Sequence, residues 1–232
     1  MENILITGAN RGIGLAITRR LLNEGKTVFA TCRNPGNAKL LDKLSETYPQ
    51  NLHVVELNVS DEASLGRAVE TVKGITKSLD VLINNAGIMQ RSEVPETLNF
   101  QKMRETFEVN AIAPMMVMQK FLDLLRKGER PLILNISSQL GSLQRKKSGG
   151  LYSYCSSKAA LNMMSLALAY DLKNDGIIVI TSHPGWVQTD MGGPGAMITA
   201  DASAEGLINI IRGAGPSDSG SFLTWEGEAH PW

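Results

Sequence analysis

What the chain has little of sets the first limits on what it can be. Only two cysteines, Cys32 and Cys155, occur among 232 residues. That is too few for a framework of disulfides and fits a reducing compartment. The three histidines, His53, His183 and His230, are scattered and show no metal-ligand spacing with the cysteines, so no catalytic metal is expected. Net charge is also absent. Twenty-three basic residues balance twenty-three acidic ones, which withholds the electrostatic footprint that binding to nucleic acid or an anionic membrane requires. No apolar run approaches the roughly 18 residues of a membrane span. The segment after Met1 lacks a basic n-region, an apolar h-region and a cleavage site, and a cytoplasmic setting is the expectation. The densest basic cluster, Arg145, Lys146 and Lys147, adjoins Ser148, Gly149 and Gly150. It reads as a solvated loop or as a patch that steers an anionic substrate.

What is present is an alternation of short β-branched runs with longer segments of helical period, the pattern of repeated βαβ units around a parallel sheet. Strands are expected near Asn3–Thr7, Thr27–Thr31, Leu52–Leu57, Leu79–Ile83, Pro131–Ile136, Ile177–Thr181 and Ser221–Thr224. Helices are expected near Gly12–Asn23, Asn37–Thr47, Glu62–Lys77, Phe100–Arg126, Ser153–Lys173 and Ala202–Ile211. The fold class is therefore α/β, a Rossmann-type doubly wound, mostly parallel seven-stranded sheet with helices on both faces. The length suits a single domain over residues 1–232. The Gly/Pro-rich stretch 184–200 follows a strand where such a sheet places its ligand crevice, and reads as a mobile substrate loop or an inert connection.

Tyr154 and Lys158 carry the chemistry most directly. Four residues apart on a helix, they share one face, so an ammonium can sit beneath a phenol. At ~4 Å and an effective dielectric of ~20 their attraction is on the order of 4 kcal/mol, enough to draw a phenol that normally ionises near pH ~10 toward neutrality. The same spacing on a solvated helix would mean nothing.

Immediately after the first strand, Thr7-Gly8-Ala9-Asn10-Arg11-Gly12-Ile13-Gly14 opens a helix. Glycines there admit positive φ and close backbone approach, and the exposed N–H groups of a helix start favour a phosphate. About 20 residues on, where an acid would hold the ribose 2′-hydroxyl of NAD, the chain reads Cys32-Arg33-Asn34. Arg33, with Arg11, can bind a 2′-phosphate by charge-assisted bonds, which favours NADP(H). Asn110 stands four residues before Pro114. Proline has no N–H for the i−4 carbonyl, so that of Asn110 is released from helix bonding.

Together, Thr7-Gly-x-x-x-Gly-x-Gly14, Asn84-Asn85-Ala86-Gly87, Asn110, Ser137-Ser138, Tyr154-x-x-x-Lys158 and Pro184-Gly185 resemble, in order and over nearly the whole chain, the short-chain dehydrogenase/reductase family. His183 to Gly192 and Phe222 to Trp232 are closest to its C-factor and sniffer-like carbonyl reductase branch. The resemblance implies NADPH-linked reduction of a ketone, aldehyde or quinone, or oxidation of the alcohol. A rival reading is an NADP(H)-sensing or signalling protein that acts through a protein partner. By resemblance, Tyr154 exchanges the proton, Lys158 tunes it and binds the nicotinamide ribose, and Ser138, or its neighbour Ser137, positions the carbonyl oxygen. Asn110 would hold a relay water linked to Lys158. Asn58 and Val59 would meet the adenine, Asn85, Ala86 and Gly87 the adenine ribose, and Pro184, Gly185, Val187 and Thr189 the carboxamide. Gly8, Asn10, Arg11, Gly12, Ile13 and Gly14 form the phosphate turn. Met89, Leu140, Trp186, Met191 and Met197 form an apolar substrate wall or fill the core. The stripe Ala159, Ala160, Met163, Met164, Ala167 and Leu168 packs on the sheet or, by resemblance to family dimers and tetramers, contributes to a homo-oligomer.

Overall fold

The computed structural model describes residues 2–232. Seven strands, β1 (Asn3–Ile6), β2 (Thr27–Cys32), β3 (Leu52–Glu56), β4 (Val81–Asn84), β5 (Leu132–Ile136), β6 (Ile178–His183) and β7 (Ser221–Thr224), form one sheet. Their order is β3-β2-β1-β4-β5-β6-β7 and every pairing is parallel, so the expected "mostly" parallel sheet is wholly so. Seven α-helices accompany it among the described residues: α1 (Gly12–Asn23), α2 (Lys39–Thr47), α3 (Glu62–Ile75), α4 (Phe100–Phe107), α5 (Ala113–Leu125), α6 (Tyr152–Asp171) and α7 (Ala200–Gly213).

The two faces of the sheet are read from strand alternation. Ile4, Ile6, Val28, Ala30, Ile83, Leu134 and Ile180 pack with Ile17, Leu21, Leu41, Leu207 and Ile211 of α1, α2 and α7. Leu5, Phe29, Leu82, Ile133 and Val179 point the other way, onto Leu65, Val72, Val117, Phe121 and Leu168 of α3, α5 and α6. Successive side chains of a strand face opposite layers, and here both layers are apolar, which is why the strands read as continuous β-branched runs.

The sequence pattern predicts one helix over Phe100–Arg126, and the structure corrects this. The chain forms α4, then a π-helical turn over Glu108–Ile112, then α5, with Ala113 N–H bonding Glu108 O. Pro114 cannot donate, so the ladder shifts to i→i+5 bonds just before it, widening the helix at Asn110. Strand order reverses between β1 and β4, and the crevice beyond their C-terminal ends is where such a sheet receives a ligand.

Candidate active site

At that crevice the turn after β1 is built around glycines. Gly8 and Gly12 have φ of +65° and +55°, a region other residues seldom enter. Asn85, just past β4, clamps the turn: its Nδ2 donates to the carbonyls of Thr7 at 2.9 Å and Gly8 at 3.0 Å. In return, the Thr7 hydroxyl accepts the N–H groups of Asn85 and Ala86, each at 3.0 Å. Arg11, the residue before α1, makes no side-chain cap bond to the helix, which leaves the first-turn N–H groups facing the crevice without a side-chain acceptor from that position.

The crevice is a cleft of about 830 Å³. Of the residues singled out from the sequence, Gly8, Asn10, Arg11, Gly12, Ile13, Arg33, Asn58, Val59, Asn85, Ala86, Gly87, Tyr154, Lys158, Pro184 and Thr189 border it. Gly14, Asn110, Ser138, Gly185 and Val187 do not, and for most of them the geometry shows another task. A Cβ on Gly14 would lie 2.4 Å from Gly8 O and 2.6 Å from Asn85 Nδ2, so this glycine permits α1 to pack against the turn. Gly185 has φ of +82°, and a side chain there would strike Ile198. Val187 is buried and pairs with Ile198 inside the 184–200 loop. Thr189 borders the cleft, but its hydroxyl is engaged in its own loop, donating to Val187 O at 3.3 Å and accepting Gly192 N–H at 3.1 Å.

Tyr154 and Lys158 lie on the first two turns of α6, both buried. A chain of amides fixes that helix against the sheet: Asn84 Nδ2 donates to Asn135 Oδ1, and Asn135 Nδ2 to Ser165 Oγ, each at 2.8 Å. Ser138 favours the ionised form of the Tyr154 phenol, and its Oγ accepts Leu140 N–H at 3.1 Å. Ser137 borders the cleft, yet its hydroxyl donates to Asn162 Oδ1 at 2.6 Å. Of the two serines, Ser138 is thus the one turned to the tyrosine. A 3₁₀ turn over Gln139–Gly141 takes up part of the sixteen-residue spacing between Ser138 and Tyr154. Gly141 is required there, because a Cβ would come within 2.9 Å of Lys158 backbone and Cβ atoms.

The electrostatics correct one expectation. Burial holds the Tyr154 phenol above its ordinary pKa, with Ser138 pulling the other way. Lys158 is not among the groups that act on it. Its Nζ instead donates to Ile136 O at 2.8 Å, and burial draws its own pKa down to about 8. Burial shifts both groups toward their neutral forms, the opposite of what an attraction between ions would do.

Asn110 sits behind this pair. Its Oδ1 accepts Ile88 N–H and its Nδ2 donates to Ile88 O, both at 2.8 Å, and Nδ2 also donates to Ser157 Oγ at 3.0 Å. Ser157 Oγ in turn donates to Tyr154 O at 2.8 Å. Gly87 separates Asn110 from Lys158: a Cβ there would lie 3.3 Å from Asn110 Oδ1 and 3.7 Å from Lys158 Nζ. Ser157 and Gly141 were missed from the sequence, although Ser157 is three residues past Tyr154, the spacing that lets a hydroxyl reach a backbone carbonyl in a helix.

Among the side-chain contacts that seat the 184–200 loop, Arg11 pairs with Asp190 at 2.6 Å, Arg91 donates to Met191 O, and Ser203 Oγ donates to Pro184 O at 2.7 Å. Of the expected apolar wall, Met191 borders the cleft. Leu140, Trp186 and Met197 are exposed rather than core. Lys146 is not free to steer a ligand, since its Nζ donates to Gly150 O at 3.0 Å. No helix of the described residues is long and apolar enough to cross a membrane.

The family model described as short chain dehydrogenase matches residues 2–196. The C-signal protein of Myxococcus xanthus is 40% identical over 157 residues, 68% of this chain and 95% of that one. Carbonyl reductase Sniffer of D. melanogaster has a TM-score of 0.96 at 35% identity, with 100% of both chains covered. An NADPH-bound carbonyl reductase from chicken fatty liver has a TM-score of 0.94 at 38% identity, covering 100% of this chain and 99% of that one. A wholly parallel sheet reversing at its glycine turn, and a family match that runs from β1 past the Tyr154 helix, place this chain in the short-chain dehydrogenase family of oxidoreductases.

Proposed function

We propose that the protein reduces a ketone, aldehyde or quinone carbonyl with NADPH, or oxidises the corresponding alcohol with NADP. One observation carries this reading: the buried Tyr154 phenol, whose ionised form Ser138 favours, borders the same cleft as the glycine turn and Arg33. The cleft suits a dinucleotide phosphate. Its glycine turn and the start of α1 present backbone to a diphosphate, Arg11 and Arg33 offer guanidinium groups to a 2′-phosphate, and Gly87 leaves open the space beside Lys158 that a side chain would fill. The cofactor, when bound, supplies the hydride. Bound NADPH in the chicken carbonyl reductase supports the same choice.

Tyr154 gives its proton to the carbonyl oxygen. A phenol held above its usual pKa is protonated at neutral pH, the state a general acid needs for reduction. Ser138 hydrogen-bonds the same oxygen and orients it, where developing negative charge is best met by a fixed donor. Lys158, buried and cationic below about pH 8, holds the nicotinamide ribose.

Replacing Tyr154 with Phe should lower NADPH-linked carbonyl reduction by about 100-fold or more while NADPH affinity stays within a few-fold. Unchanged turnover would defeat the reading. The similarity to the C-signal protein motivates a second reading, in which the NADP(H)-bound chain acts through a protein partner. Cofactor-dependent partner capture with no NADPH consumption across a panel of carbonyls would favour it. We also infer a homodimer or homotetramer, because Met163 on α6 is 68% exposed, and a cytoplasmic setting, because Cys32 and Cys155 are unpaired. A monomeric mass by light scattering at micromolar concentration would remove the first.

A further inference from the structure

We infer that Glu93 is a positioning residue for Tyr154, acting as a remote cap on the helix that carries it. This inference rests on the proposed carbonyl reduction. α6 starts without local help: the residue before it, Leu151, has no side-chain oxygen and stands in the left-handed region, with φ of +52° and ψ of 38°. The first N–H groups of a helix have no partner within the helix, and an N-cap hydroxyl or carboxylate normally serves them. Here the acceptor comes from sixty residues earlier in the chain. Glu93 Oε2 accepts Ser153 N–H at 2.9 Å, and Glu93 Oε1 accepts the Ser153 hydroxyl. A carboxylate is also the charge that the positive end of the helix dipole favours.

Three further observations set this contact apart from an incidental surface bond. Ser153 is fully buried and immediately precedes Tyr154. The two non-glycine residues with positive φ among those described, Ser92 at 59° and Leu151 at 52°, flank it on either side. Strain of that kind persists where the surroundings hold it in place. Finally, the segment that presents Glu93 is itself tied to both sides of the cleft. Ile88 is held by Asn110, and Arg91 donates to the Met191 carbonyl of the 184–200 loop. Glu93 thus joins the segment after β4 to the first turn of α6, one residue from the phenol.

The test compares wild type with Glu93→Ala and Glu93→Gln, whose amide oxygen can still accept one of the two bonds. Steady-state turnover, NADPH affinity by fluorescence titration, and hydrogen exchange of the peptide spanning 151–157 are measured for each. Glu93→Ala is expected to lower kcat by about tenfold with KM and NADPH Kd within about twofold, and Glu93→Gln to fall between it and wild type. Amide exchange at the start of α6 should speed up by about tenfold in Glu93→Ala while the sheet stays protected. Unchanged kcat, unchanged exchange, or a loss of NADPH affinity equal to the loss of kcat would overturn the inference, since a general loosening of the fold would affect binding and turnover together. Wild-type protein that consumes no NADPH with any carbonyl would instead overturn the proposed function, while exchange would still show whether Glu93 caps the helix.

Discussion

Arg11 and Asp190 form an ion pair at 2.6 Å that joins the glycine turn to the 184–200 loop, with side chains 67% and 77% exposed. A pair so open to water contributes little to stability. Its consequence lies in competition, because the same guanidinium is a candidate partner for the 2′-phosphate. Replacing Asp190 with Asn should tighten NADPH binding by about two- to fivefold, leave NADH binding unchanged, and shift the unfolding midpoint hardly at all. Arg33→Ala should weaken NADPH selectively. Equal changes for both cofactors, measured by fluorescence titration, would show that neither arginine reads the 2′ position.

Gly14 makes a second prediction, about packing. A methyl group there would meet Gly8 O at 2.4 Å and Asn85 Nδ2 at 2.6 Å, and neither can retreat because Asn85 Nδ2 donates to the Thr7 and Gly8 carbonyls. Gly14→Ala should cost about 1–3 kcal/mol of stability and weaken cofactor binding with it. Gly36→Ala is the control: nothing lies within 4 Å of the added carbon. Chemical denaturation of the two variants separates the effects, and equal stability would mean that the turn yields more easily than its hydrogen bonds imply.

The sheet was legible in the sequence because buried parallel strands read as apolar runs, and helix periods between them left few other topologies. The glycine turn and the Tyr154 helix were legible because each concentrates its chemistry in a few adjacent positions. What escaped were the contacts made across distance. Nothing near Glu93 marks it as the partner of Ser153, and Gly141 resembles any loop glycine until Lys158 is seen packed against it. The π turn at Glu108–Ile112 was missed for another reason: Pro114 announced a break, but periodicity alone does not say how the ladder repairs itself. The expected depression of the Tyr154 pKa failed because spacing on a helix reports proximity and is silent on desolvation.

Lys158 illustrates the conflict between stability and chemistry. Its pKa falls from the ordinary lysine value of 10.5 to about 8 through burial. Between those two values the unfolded chain binds more protons than the folded one, so stability rises with pH across that window and the cost is fully present below about pH 8. Lys158→Met removes that cost together with the bond to Ile136 O. The variant should be more stable than wild type at pH 7, by roughly 1–2 kcal/mol, and nearly inactive. Thermal unfolding at pH 7 and pH 10 checks it. A variant less stable than wild type at pH 7 would mean that the Ile136 bond outweighs the buried charge.

His183, at the end of β6, gives the acid limb of the stability curve. Its ring packs edge-on against His230, with centroids 4.7 Å apart, and Nδ1 accepts Gly185 N–H at 3.1 Å. Burial, then the charges of His230 and Arg145, lowers its pKa from 6.5 to about 4. A histidine kept neutral in the fold but free to protonate when unfolded destabilises the fold as pH drops through that interval, and the effect is complete near pH 4. His53 and His230 shift the same way, so they add to the slope. Unfolding free energy should therefore fall between pH 6.5 and pH 4, with His183 contributing on the order of 1–3 kcal/mol. His183→Asn, whose side-chain oxygen can still accept the Gly185 N–H, should flatten that fall while lowering stability modestly at pH 7. Urea unfolding of wild type and variant at pH 7, 5.5 and 4.5 measures the difference, and parallel curves would place the acid sensitivity elsewhere in the molecule.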